Sequence, residues 1–125
     1  MTDSRFLDSS AWLAYFYGEE QVKEMIESDQ ILLTSAISLF EIKNKLIKDK
    51  IETVKLKRSL EFIKKRSLIV NIDVEISEEA VAFSIKDNLH TVDALIYSST
   101  LKNESVLVTF DNDFHGLNNV LILKG

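Results

Sequence analysis

Apolar residues run along this chain in two rhythms. In one, they sit side by side: residues 31–33 read Ile-Leu-Leu and residues 106–108 read Val-Leu-Val. In the other they return every three or four positions, as at Val22, Met25 and Ile26, at Leu39, Ile42, Leu46 and Ile47, or at Leu56, Leu60 and Ile63. The first rhythm marks strands covered on both faces, the second the buried side of helices. On this basis strands are expected at 5–7, 31–33, 68–72, 106–109 and 120–123. Helices are expected from Ser10 as N-cap to Gly18, over 19–28, from a cap at Ser35 or Ser38 to about Lys48, over 52–66, from Ser77 to Lys86, and over 91–101. Strands that alternate with helices and lack a polar face imply a central parallel sheet with helices on each side. The expected fold class is therefore α/β, a three-layer α/β/α sandwich.

Composition narrows the possibilities. The chain has 125 residues, 46% of them hydrophobic, with no Cys, no Pro and three Gly. That suits a single domain over 1–125 with one linker-free core. Without Cys, thiol catalysis, disulfides and cysteine metal sites are excluded. The polar start MTDSRFLDSS does not fit a signal peptide, and no apolar stretch has the length of a membrane span. A soluble, cytoplasmic protein without membrane association is expected. Charge is unevenly placed. Residues 43–66 hold ten of the fifteen basic residues against three acidic ones, in a chain whose net charge is −5. Such a segment suits phosphate contacts, or simply a solvated pair of helix faces.

Candidate chemistry lies in the acids. In an open parallel sheet, ligands bind beyond the carboxyl ends of the strands. Asp8 ends the first strand, and Asp111 and Asp113 follow the strand at 106–109. Glu41 and Asp93 lie early in helices and have apolar neighbours, Phe40 and Ile42 for the first and Ala94, Leu95 and Ile96 for the second. A carboxylate in apolar surroundings is costly unless a cation compensates it. Hard oxygen ligands of this kind suit Mg²⁺ or Mn²⁺, which activate water toward a phosphodiester without a nucleophilic side chain. Taken singly, each acid has an ordinary account. Asp8 caps a helix, Glu41 and Asp93 complement helix N-termini, and Asp111 and Asp113 form a turn. His90 and His115 read as surface or capping residues.

The segments RFLDSSAWLAYF, SAISLFEIKNKL and HTVDALIYSSTLKNESVLVTFDNDF together resemble a PIN domain, and within that family the VapC-like toxin ribonucleases. The resemblance spans nearly the whole chain, with D-A-L-I and T-x-D-x-D-F, close together near the end, as its most specific part. It implies the PIN-like sandwich and Mg²⁺- or Mn²⁺-dependent endonucleolytic cleavage of RNA to a 5′-phosphate and a 3′-hydroxyl. Carried over, Asp8, Glu41, Asp93 and Asp111 match the metal-binding catalytic quartet, and Asp113 a frequent fifth acid. Thr109 and Ser9 match positions where a hydroxyl supports the carboxylates. The ordinary readings are a strand residue for Thr109 and a turn or cap for Ser9.

The resemblance also implies a homodimer and, in many members, a small antitoxin lying in a groove between the early helices. Tyr15 and Tyr17 are candidates to line that groove, whereas Trp12 and Phe16 read as core. Lys43, Lys45, Lys48 and Lys50 are candidate RNA contacts. Three other readings compete: an RNA-processing PIN-like nuclease without an antitoxin, a non-catalytic PIN-like nucleic-acid-binding module, and a response-regulator receiver. The last needs a late Lys, typically followed by Pro, and would not place acids on helices.

Overall fold

The computed structural model describes residues 4–124. Residues 1–3, on which the expectation about an export signal partly rests, lie outside the described residues, as does Gly125. Five strands form one sheet: β1 (Ser4–Leu7), β2 (Ile31–Ser35), β3 (Leu68–Val70), β4 (Val106–Thr109) and β5 (Val120–Ile122). Their order is β3-β2-β1-β4-β5, and every pairing is parallel. Six helices connect them: α1 (Ser9–Phe16), α2 (Glu20–Ile26), α3 (Ala36–Lys48), α4 (Thr53–Arg66), α5 (Val74–Lys86) and α6 (Thr91–Lys102). A short 3₁₀ turn, Asn112–Phe114, lies between β4 and β5.

The unbroken apolar strands do bury both faces. Leu7, Leu32 and Val108 pack into one core with Trp12, Ile26, Ile42 and Ile63 of α1–α4. Their strand neighbours Phe6, Leu33 and Leu107 point the other way, into a second core with Ala80, Ala94, Ile96 and Tyr97 of α5 and α6. Alternate side chains go to opposite faces, so three layers result. The first core also contains a satisfied polar chain. Trp12 Nε1 donates to Thr34 Oγ1 at 3.0 Å, Thr34 Oγ1 and Ser67 Oγ lie 2.7 Å apart, and Ser67 Oγ donates to the Ile63 carbonyl at 2.7 Å.

Several boundaries differ from expectation, each for a visible reason. Asp8, not Ser10, caps α1, accepting the Ala11 amide, so the helix begins at Ser9. Asp73, not Ser77, caps α5 by accepting the Ile76 amide, and the helix starts three residues earlier than Ser77. Of the two candidate caps for α3 it is Ser35 that accepts the Ile37 amide, while Ser38 is buried on the stripe with Ile42 and Leu46. β2 runs on to Ser35, and β3 stops at Val70. Among the described residues no helix is long and apolar enough to cross a membrane.

Strand order has one consequence for function. The chain proceeds outward from β1 through β2 to β3, then returns to place β4 on the other side of β1. Connections therefore leave β1 and β4 in opposite directions, which opens a crevice at their carboxyl ends.

Candidate active site

The crevice between β1 and β4 is where the acids gather. Asp8 follows β1 directly and is only 6% exposed. Its Oδ1 accepts Ser10 Oγ at 2.6 Å and the Ala11 amide at 3.0 Å, and its Oδ2 accepts Thr109 Oγ1 at 2.5 Å. Asp111 follows β4 and caps the 3₁₀ turn, accepting the Asp113 amide at 2.9 Å. Asp93 stands in the first turn of α6, and its carboxylate meets those of Asp111 and Asp113. One oxygen from each of the three lies within 4.8 Å of the others. Glu41, on α3, reaches the crevice from the other layer, where its carboxylate lies beside the Ser9 hydroxyl and feels the charge of Asp8.

Electrostatics agree with this geometry. Burial first, and then the charges of Asp111, Asp8, Asp113 and Glu41, push the Asp93 carboxyl up to about 6. Burial and the neighbouring Asp8 also raise Glu41, against the Ser9 hydrogen bond. Burial raises Asp8, opposed by the Ser10 and Thr109 hydroxyls and the Ala11 amide. The ion pairs seen among the described residues join Lys45 to Asp49, Lys64 to Glu61, and Lys102 to Asp73 and Glu75; none uses these acids. Five carboxylates thus share one edge, from buried Asp8 to exposed Asp113, and none of these ammonium groups neutralises them.

A family model for the PIN domain matches residues 5–119. The chain belongs to the PIN domain family. Solved structures with the same fold include a chain of a toxin–antitoxin complex from Klebsiella pneumoniae. That chain is 21% identical at a TM-score of 0.82, with 97% of this chain and 99% of that one covered. Mycobacterium tuberculosis VapC20, a sarcin-ricin loop cleaving toxin, is 17% identical at 0.76, with 97% and 99% covered. VapBC2 from Rickettsia felis, bound to a DNA fragment from its promoter, contributes a chain 15% identical at 0.75, with 97% and 98% covered. Curated protein sequences give no significant match.

The donor set of this PIN domain fits a hard divalent cation. Asp93, Asp111 and Asp113 offer carboxylate oxygens close enough to share one ion, and burial together with the neighbouring acids makes an unaccompanied charge on Asp93 costly. Nitrogen or sulfur ligands are not part of the cluster, which disfavours the softer metals.

The other sequence candidates fall in different places. Thr109 is buried and bonds Asp8; Ser9 lies beside Glu41. Lys43, Lys45, Lys48 and Lys50 are all exposed, Lys45 pairing with Asp49 at 3.2 Å. Lys43 rims a groove between α3 and α4 with Lys57 and Lys64, over a floor of Ile47, Ile51 and Leu60. Lys48 sits seven residues beyond Glu41, roughly 10 Å along the helix axis, so the lysine run leads away from the acids. Trp12 is fully buried, and Tyr15 stacks on Phe62 with ring centres 5.7 Å apart. Tyr17 is exposed and donates to Asp49. His90 and His115 are exposed, at the start of α6 and the end of the 3₁₀ turn. Two residues gain standing over the sequence reading. Asp113, an outer candidate, belongs to the tightest triad, and Ser10, read as a helix cap, is a partner of Asp8. The D-S-S triplet signalled hydroxyls beside Asp8 but not which one faced it.

Proposed function

We propose that this PIN domain is a Mg²⁺- or Mn²⁺-dependent endoribonuclease and the toxin of a toxin–antitoxin pair. The observation that carries this is the convergence of Asp93, Asp111 and Asp113 at the β1/β4 crevice with Asp8 and Glu41 beside them. Asp93, Asp111 and Asp113 would hold the cation, with Asp8 and Glu41 completing the site. A bound cation supplies Lewis-acid polarisation of a phosphodiester and activation of a water. The chain's own residues do the rest. Thr109 holds the Asp8 carboxylate and Ser9 stands beside that of Glu41, while the rigid ends of β1 and β4 fix the spacing of Asp8 and Asp111. Neither histidine lies in the acidic set, so proton transfer falls to the carboxylates and water.

The toxin role rests on likeness to solved toxin–antitoxin chains and on two surfaces. The lysine-rimmed apolar groove between α3 and α4 suits an acidic amphipathic segment, the chemistry of a small antitoxin. On α5, Val74, Val81 and Ile85 are 74%, 54% and 79% exposed and suit the homodimer contact. An RNA-processing nuclease without an antitoxin would share the acidic site, and a non-catalytic binding module would not need all five acids.

The test is cleavage of single-stranded RNA by the purified protein with Mn²⁺ or Mg²⁺, with and without EDTA. Cleavage that stops with EDTA, and is absent in a folded Asp93→Asn variant, is the expected result. Cleavage by that variant at the parent's rate would sink the proposal.

A further inference from the structure

The hydrogen bonds around Asp8 leave its carboxylate little freedom, and their proton directions are fixed. The Phe110 amide donates to Ser10 Oγ at 2.9 Å, and the Asp111 amide donates to Thr109 Oγ1 at 2.9 Å. Each hydroxyl accepts an amide proton and has one proton of its own to give. In both cases the recipient is Asp8, with Ser10 donating to Oδ1 at 2.6 Å and Thr109 to Oδ2 at 2.5 Å. The two hydroxyl oxygens are 3.3 Å apart, a contact in which neither has a second proton to offer. The Ala11 amide adds another donor on Oδ1 at 3.0 Å.

A carboxylate oxygen has about two lone-pair sites. Oδ1 has both filled, by Ser10 and Ala11, and Oδ2 has one filled, by Thr109. We infer that Ser10 is a positioning residue that closes Oδ1, so that Asp8 can offer a cation one oxygen only, Oδ2. The inference rests on the reading of a cation-dependent nuclease and adds the way in which one of its carboxylates is presented. A single-oxygen Asp8 suits Mg²⁺ and Mn²⁺, which take near-octahedral sites, and disfavours Ca²⁺, which readily accepts both oxygens of a carboxylate. The same two hydroxyls tie Asp8 to the backbone of residues 110 and 111. The Asp8 carboxylate is thereby fixed relative to the turn that carries Asp111, before any cation arrives.

The experiment is calorimetric titration of Mn²⁺ and, separately, Ca²⁺ into the parent, Ser10→Ala and Ser10→Thr proteins, with a thermal melt of each. Ser10→Ala should weaken Mn²⁺ binding by about tenfold, the low end of the range for partners that orient a metal ligand. Ca²⁺ should weaken less, so the Mn²⁺-over-Ca²⁺ preference falls, and Ser10→Thr should restore both. Equal weakening of the two ions with a lower melting temperature would mean that Ser10 only supports the fold, and unchanged Mn²⁺ binding would show no role at all; either overturns the inference. If Ser10→Ala does not fold, Ser10→Cys keeps the shape with a much weaker donor and carries the same test. A parent protein that binds no Mn²⁺ overturns the functional reading instead, which separates the two failures.

Discussion

Two regions of this molecule concentrate charge, and they handle it in opposite ways. At the β1/β4 crevice, Asp8 is 6% exposed, and Asp93 is lifted to about 6 by burial and by four neighbouring acids. On α3 and in the turn that follows it, Lys43, Lys45, Lys48 and Lys50 stand exposed in water. Solvated lysines cost the fold almost nothing, since water screens them and their stems lie on the surface. Like charges gathered in a half-buried edge are expensive, and a fold keeps them only where something compensates them. Charge density alone does not mark a site; charge held at a cost does.

The sharpest way to break that contrast is to neutralise one residue in each region and measure RNA cleavage. Asp111→Asn removes one of the three convergent carboxylates and should lower the rate by about 10²–10³-fold, the scale of losing a preorganised charge-stabilising group. Lys48→Ala, on the lysine face, should stay within about twofold, as surface substitutions generally do. Equal losses in the two variants would erase the distinction.

Stability against pH sharpens it further, because the cost of the acids is measurable. The Asp93 carboxyl sits at about 6 against an ordinary 3.8, so the folded chain holds that proton more tightly than the unfolded chain does. Stability from this group is therefore complete below about pH 4 and is lost as pH rises through about 6. In EDTA the parent should lose on the order of 1–3 kcal/mol across that window, the lower figures allowing for solvent at a half-buried group. Asp93→Asn should lack that loss, and at neutral pH should be more stable than the parent while being inactive. Saturating Mn²⁺ should stabilise the parent by mass action and flatten its pH dependence. Chemical denaturation at pH 4, 5, 6 and 7 reads all three; a parent curve that is flat in EDTA would remove the argument that these acids are held at a cost.

Much of this was legible in the sequence because it depends on local pattern. Unbroken apolar runs such as residues 106–108 required cover on both faces, and the three layers followed. Asp8 and Asp111 were readable because a strand end fixes where the next side chain must lie. What depended on packing was less visible. Asp113 looked like a turn residue, and it is one, in the exposed 3₁₀ turn; only the approach of α6 from a separate part of the chain makes it a neighbour of Asp93. Ser10 looked like a helix cap because hydroxyls often cap helices. Asp8 took that place, which freed Ser10 to bond the Asp8 carboxylate and the Phe110 amide. The lysine run was legible as charge but not as position, since the helix axis carries Lys48 and Lys50 away from Glu41.

The smallest expected effect tests whether the lysine face takes part in substrate binding at all. Lys43 lies half a turn beyond Glu41 on α3 and is exposed, whereas Lys45 is engaged with Asp49 at 3.2 Å. If RNA runs from the acids along the start of α3, Lys43→Ala should weaken RNA binding a few-fold and lower the slope of log affinity against log salt by about 0.7, one phosphate contact to a single strand. Lys45→Ala should change the slope less, because its charge is already partly neutralised. Neither should alter the cleavage rate at saturating RNA, since a phosphate contact far from the bond being broken binds ground and transition states alike. Measured across a salt series, a slope unchanged in Lys43→Ala would take the lysines out of the substrate path. The acidic crevice would then be the only one of the two charged regions that touches RNA, leaving the α3–α4 groove to a protein partner.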